Sequence, residues 1–213
     1  MRGLFVTGTD TGVGKTFVTC ALARRARARG MRVFAFKPVE TGSPDGRLGE
    51  DQEKLIEAAG GWQEGELQGV YQFALPAAPL VAAEAEGRTI DLGRIDAVLQ
   101  RGSESADLVL VEGAGGWRVP ITADVDMAGL AARVDIPVVV VARAGLGTIN
   151  HSLLTLEAVE REGLQIRGLV LSRRPGDVEL VESNVEQIGR RWPGRIVVFG
   201  GDLESLDPII ECD

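Results

Sequence analysis

Near the N-terminus, the residues Gly8-Thr-Asp-Thr-Gly-Val-Gly-Lys-Thr16 follow a short apolar run and precede an alanine- and arginine-rich stretch. Glycines in a loop between a strand and a helix let backbone N–H groups turn inward around an anion. A lysine and a threonine at the end of such a loop supply a cation for the outer phosphates of a nucleoside triphosphate and a hydroxyl ligand for magnesium. Lys15 and Thr16 hold those positions, preceded by Gly12, Val13 and Gly14. The strict phosphate-loop spacing places another glycine at position 9. Here Thr9 stands there, with Gly8 one step earlier. The loop is therefore a variant, and its competing reading is a glycine-rich turn that merely starts a helix.

A second acidic candidate lies in Asp107-Leu-Val-Leu-Val-Glu112, followed by Gly113-Ala-Gly-Gly116. A carboxylate at the end of an apolar strand, beside the strand that carries a phosphate loop, is positioned for a metal ion. Glu112 is that carboxylate, and the glycines after it allow a ligand close to the backbone. On its own the pattern also fits an ordinary strand-end acid. Lys37 closes another apolar run and precedes Pro38, Val39, Glu40 and Thr41. A lysine there can neutralise charge on a transferring phosphoryl group, or it is a solvated strand-end lysine; spacing leaves the two even. Asp51 opens a helical stretch and either caps it or completes the metal site. His151, the only histidine, suits capping or packing better than catalysis. The preceding Gly145-Leu-Gly-Thr-Ile-Asn150 loop is the better candidate for polar substrate groups.

These residues sit at the ends of a repeating pattern. The apolar runs Leu4–Val6, Val33–Phe36, Leu108–Val111, Val138–Ala142, Leu169–Leu171 and Ile196–Phe199 are continuous and valine-rich. That is how parallel strands covered on both faces read. Helical stretches fall between them: Lys15–Arg29 before Gly30, Asp51–Ala59 before Gly60, Ile95–Arg101 before Gly102, Asp126–Val134, Ile149–Glu162 before Gly163, and Asp177–Arg191 before Pro193. Strand and helix in alternation predict an α/β, doubly wound, mainly parallel sheet with helices on both faces. Residues 1–213 read as one domain. The stretch from Gly61 to Pro79 is the least regular and is expected to hold loops near the site.

Composition narrows the function. A formal net charge of −8 disfavours nucleic-acid binding, while 45% hydrophobic and 25% charged residues suit a globular core. Cys20 and Cys212 match no zinc pattern and no disulfide framework, so both read as thiols in a reducing compartment. No leader is expected, and the longest apolar run, Ile136–Ala142, is too short to span a bilayer. A cytoplasmic enzyme without membrane contact is expected.

Four segments in order carry a family resemblance: FVTGTDTGVGKT (Phe5–Thr16), FKPVETG (Phe36–Gly42), VEGAGGW (Val111–Trp117) and GLGTINH (Gly145–His151). Together they resemble the dethiobiotin synthetases over most of the chain up to about Leu171. The resemblance implies a P-loop fold and the joining of 7,8-diaminopelargonic acid, carbon dioxide and ATP into dethiobiotin, ADP and phosphate. It implies that Lys15 and Lys37 are the catalytic cations. Thr16, Asp51 and Glu112 are the implied magnesium ligands and Thr41 a substrate-contacting hydroxyl. Gly12 to Thr16 with Gly113, Ala114 and Gly115 line the phosphates. It further implies a homodimer in which Thr148, Ile149 and Asn150 bind the substrate carboxylate tail across the interface.

The match weakens after Leu171. The family commonly has an asparagine that reads the adenine edge, where this chain has Ser172 and then Arg173. The family's proline-containing turn after the last strand is replaced by Gly200-Gly-Asp-Leu203. A hydroxyl cannot present a donor and an acceptor side by side as an amide does, so looser base discrimination is expected. Two rivals share the scaffold. An amide ligase of the cobyrinic acid type would carry a glutaminase domain. A partitioning or cell-division ATPase would have a lysine where this chain has Asp10, and tends to need membrane or DNA contacts. Sequence assigns no role to the last dozen residues.

Overall fold

The computed structural model describes residues 1–43, 47–173 and 180–211. Along the chain it runs β1 (Gly3–Gly8), α1 (Lys15–Ala28), β2 (Val33–Phe36), β3 (Val39–Thr41), α2 (Glu50–Ala58), β4 (Tyr71–Phe73), α3 (Pro79–Ala85), α4 (Leu92–Glu104) and β5 (Leu108–Gly116). It continues with α5 (Met127–Val134), β6 (Val138–Arg143), α6 (Thr148–Arg161), β7 (Ile166–Ser172), α7 (Val181–Gly189), β8 (Ile196–Phe199) and α8 (Asp207–Ile210). All six expected runs become strands of one parallel sheet, in the order β2-β5-β1-β6-β7-β8. From β1 the chain crosses to the edge strand β2, returns to β5 beside β1, and then runs through β6, β7 and β8 on the other side. The crevice at the carboxyl end of β1 is therefore the switch point where such sheets bind ligands.

The two faces of the sheet explain the unbroken apolar runs. Phe5, Phe34, Phe36, Val109, Val111, Val138, Val140 and Leu171 point into one core, together with residues of α4, α5 and α6. Their neighbours Leu4, Val6, Val33, Ala35, Leu108, Leu110, Val139, Val141 and Val170 point into the other, against α1 and α2. Side chains alternate between faces with period two, and here both faces are dry. Leu206, Ile209 and Ile210 are fully buried in the second core. The C-terminal residues to which sequence assigned no role thus close the face beneath α1. Arg25 holds them through a two-pronged contact with the Asp207 carboxylate at 2.6 and 2.7 Å.

Several boundaries differ from expectation. α4 begins three residues earlier than Ile95, where the Asp91 side chain accepts from the Gly93 N–H at 2.8 Å. It also runs through Gly102 to Glu104. Gly102 is not a helix stop: a Cβ there would overlap the Phe34 ring, so glycine permits the close approach of helix to sheet. Asp126 is the N-cap of α5, accepting from the Gly129 N–H at 2.9 Å, rather than its first residue. Cys212 and the first residues of the helix expected from Asp177 lie outside the described residues.

Four elements had no counterpart in the sequence reading: β3, β4, α3 and α8. β3 and β4 pair in parallel as a separate two-stranded ribbon, Val39 opposite Tyr71, Glu40 opposite Gln72 and Thr41 opposite Phe73. Strands of three residues are too short for a period-two signal to show.

Candidate active site

The loop after β1 delivers its backbone to the N-terminus of α1. Gly12 and Gly14 have φ values of 70° and 101°, a region costly for any residue with a Cβ. Position 9, where strict spacing would place a glycine, is not among the residues of positive φ, which is why Thr9 is tolerated. Gly14 caps α1 without a side-chain hydrogen bond, and the first helical turn carries no acid. That arrangement leaves the positive end of the helix dipole to an anion.

A cleft of about 670 Å³ opens over this helix end. Lys15 and Thr16 line it from the first turn of α1, Lys37 from the end of β2, Thr41 from the end of β3, Asp51 from α2, and Ala114 and Gly115 from the end of β5. Thr11, Phe17, Val119 and the turn from Pro76 to Pro79 line it as well. That turn falls in the irregular stretch expected to lie near the site. Thr11, Phe17 and Val119 carried no chemical signature that sequence could single out.

At the base of the cleft, four side chains form one polar cluster. The Glu112 carboxylate, fully buried, accepts from the Thr16 hydroxyl at 2.7 Å and the Lys37 ammonium at 3.1 Å, both through Oε1. Lys37 also donates to Asp51. Glu112 Oε2 is buried with no hydrogen-bond partner. A buried carboxylate oxygen without a partner is costly, and this one shares its carboxyl group with the threonine contact. The cluster of hard oxygens from Thr16, Asp51 and Glu112 therefore fits a hard divalent cation such as magnesium.

Burial and charge oppose each other at both lysines. For Lys37, desolvation alone would lower the pKa, but Glu112 and Asp51 outweigh it and hold the ammonium well above the usual lysine value. Lys15 goes the other way: burial lowers its pKa, and the attraction of Glu112 does not make up the difference. For Asp51, burial would raise the pKa, but the charge and hydrogen bond of Lys37, followed by the Thr16 contact, pull it below the ordinary aspartate range.

Asp51 is positioned by residues that sequence reasoning did not assign. It lies inside the first turn of α2, whose N-cap is Gly49, so it does not cap the helix. The capping is supplied from β3. The buried Glu40 carboxylate accepts from the Asp51 N–H at 2.9 Å and the Gln52 N–H at 3.0 Å. Gln72 of β4 accepts from the Gly49 N–H at 3.0 Å. Gln52 in turn accepts from the Lys37 N–H at 2.6 Å. A Cβ on Gly49 would overlap the Glu40 carboxylate, so only glycine fits there. The paired strands β3 and β4 thus fasten the start of α2 to the end of β2 and bring Asp51 to Lys37.

The remaining sequence candidates are not all in the cleft. Val13 and Gly113 are buried behind it; a Cβ on Gly113 would meet the Met127 sulfur at 3.0 Å. Ser172 is buried at the end of β7 and packs on the phosphate loop, where a Cβ on Gly14 would meet its hydroxyl at 2.5 Å. Arg173 follows it on the surface, its backbone N–H bonded to the Phe199 carbonyl at 2.8 Å. Thr148, Ile149 and Asn150 form the first turn of α6 and line none of the cleft of their own chain. Thr148 is buried against Ser152, Asn150 and His151 are exposed, and Leu146 before them is 86% exposed.

Comparison with known proteins adds the following. A family model described as an AAA domain matches residues 2–208. The protein named ATP-dependent dethiobiotin synthetase BioD from Anaeromyxobacter dehalogenans (strain 2CP-C) is 51% identical over 191 residues, covering 89% of this chain and 85% of the relative. Its namesake from Anaeromyxobacter sp. (strain Fw109-5) is 47% identical, covering 81% of this chain and 77% of that one. Among solved structures, the signal recognition particle receptor FtsY from Elizabethkingia anophelis aligns with a TM-score of 0.55 at 16% identity, over 99% of this chain and 65% of that chain. Apo McdA from Cyanthece aligns with a TM-score of 0.55 at 15% identity, over 99% and 90%. At such identities the two structures share a fold with this chain and nothing finer. No helix among the described residues is long and apolar enough to cross a membrane.

Proposed function

The chain belongs to the family of ATP-dependent dethiobiotin synthetases, and from that premise we propose that it carries out ATP-dependent carboxylation and ring closure of 7,8-diaminopelargonic acid. One amine of the substrate takes up carbon dioxide as a carbamate. A carbamate oxygen attacks the γ-phosphorus of ATP, and ADP leaves. The second amine then attacks the carbonyl of the carbamic–phosphoric anhydride, phosphate leaves, and the ureido ring of dethiobiotin is closed.

The observation that carries this reading is Lys37, buried at the mouth of the phosphate loop between Glu112 and Asp51. Its raised pKa makes it a fixed cation rather than a proton acceptor, suited to the charge that gathers on the carbamate and the γ-phosphoryl group. Lys15 shares that charge from the start of α1. The residues suited to hold magnesium are Thr16, Asp51 and Glu112; when bound, the ion neutralises phosphate charge. Thr41 offers its hydroxyl to the substrate on the Lys37 side. Ser172 and Arg173 lie on the nucleoside side.

The segment from Gly145 to Asn150, with Leu146, Gly147 and Asn150 exposed, suits a role in a second copy of the chain. A homodimer in which it meets the substrate's carboxylate tail gives that loop, and the bare Leu146, a partner. We take residues 1–213 as one ligase domain acting in the cytoplasm on small molecules, without nucleic acid or membrane.

The test is direct. The protein is incubated with magnesium, ATP and bicarbonate, with and without 7,8-diaminopelargonic acid, and both phosphate and the ureido product are followed by mass spectrometry. Product that depends on the diamine and forms one-to-one with phosphate is the expected result. Phosphate release indifferent to the diamine, with no new ureido mass, would instead favour a switch ATPase.

A further inference from the structure

Phe17 is one of the cleft residues that the chemistry above leaves unused. It follows Thr16 in the first turn of α1, lines the cleft, and is 49% exposed. Its ring rests at 4.9 Å, tilted by 38°, on that of Phe199, which is buried at the end of β8. A phenylalanine that exposes half its surface beside a phosphate loop forgoes much of the burial energy of its type.

Topology says what would cover it. Lys37 and Asp51 stand on the β2 side of the phosphate loop, and β2 and β8 are opposite edges of the sheet. With the γ-phosphate directed at Lys37, the nucleoside end of the nucleotide has to extend toward β7 and β8, where Phe17 and Phe199 lie. Among the described residues on that side, Arg173 is exposed and carries donors only. The Ser172 hydroxyl is buried against Gly14. What Phe17 offers a base there is the face of an aromatic ring.

We propose that Phe17 is the platform on which the nucleotide base stacks, and that it favours a nucleotide over bare polyphosphate without choosing strongly among bases. Every base has a π-face, so stacking binds bases with little selectivity. This inference rests on the ATP-site reading above, and its test separates the two.

Binding of magnesium complexes of the β,γ-imido analogues of ATP, GTP and CTP, and of magnesium tripolyphosphate, is measured by calorimetry. The proteins are the wild-type chain, Phe17→Ala and Phe17→Tyr. Phe17→Ala should weaken all three nucleotides by about tenfold while leaving tripolyphosphate unchanged, and Phe17→Tyr should restore the nucleotides. The inference is overturned if Phe17→Ala binds the nucleotides within about twofold of wild type, or if tripolyphosphate weakens as much as ATP. It is equally overturned if Phe17→Tyr is as weak as Phe17→Ala. A wild-type chain that binds neither nucleotide nor tripolyphosphate removes the ATP-site reading itself, and this inference with it.

Discussion

Lys37 is tied to two carboxylates, and this makes its replacement informative. Lys37→Ala removes the cation nearest the proposed site of phosphoryl transfer. Turnover to the ureido product should fall by about a hundredfold or more, the scale seen when a preorganised charge-stabilising group is lost. Residual turnover above about a tenth of wild type would show that Lys37 does not bear the developing charge. Ser172 makes the second residue-scale prediction. With a hydroxyl where the family commonly has an amide, ATP should outperform CTP and GTP in kcat/KM by less than a thousandfold, about 4 kcal/mol. Competition assays with the three nucleotides decide it, and a larger preference would mean that another group reads the base.

At the scale of elements, the start of α2 depends on a cap borrowed from another strand. Glu40→Ala deletes the acceptor of two backbone N–H groups. Loss of a cap of this kind costs about 1 kcal/mol, which denaturant midpoints will show. The half-saturating magnesium concentration should rise in the same variant, because Asp51 loses its anchor. Unchanged magnesium dependence would mean that Lys37 alone positions Asp51. Helix α1 supports a different prediction. Burial pushes the Cys20 thiol up to about 12, and only the thiolate reacts. In the native protein at pH 8, Cys20 should resist iodoacetamide while the denatured chain is alkylated, as read by peptide mass spectrometry. Rapid native labelling would mean that α1 opens away from the sheet.

The whole molecule adds the question of the second copy. The cleft holds Lys37, while the Thr148–Asn150 turn stands outside it. If the site is shared between subunits, mixing inactive Lys37→Ala with inactive Asn150→Ala should restore activity. Random exchange gives heterodimers with one intact site of two, so recovery should approach about a quarter of wild type. No recovery after verified subunit exchange would place the whole site within one chain.

Much of this organisation was legible in the residues themselves. Continuous valine-rich runs reported strands covered on both faces, because a parallel sheet hides both sides of every strand. The glycines at 12 and 14 reported the turn that leads into α1, because few other types can adopt that backbone. Glu112 and Lys37 were recognisable only as strand-end charges. Sequence left each with a bland alternative, since contact across 75 positions leaves no local trace. Tertiary structure alone decided that Glu112 joins Thr16 and Lys37, that Asp51 is held rather than capping, and that Glu40 and Gln72 hold the start of its helix. It also decided that Gly102 and Gly49 are there for what lies against them. These outcomes depend on which surfaces meet when the sheet and the β3–β4 ribbon close on the helices. Propensity and periodicity describe each segment's own surface, but not the surface that comes to face it.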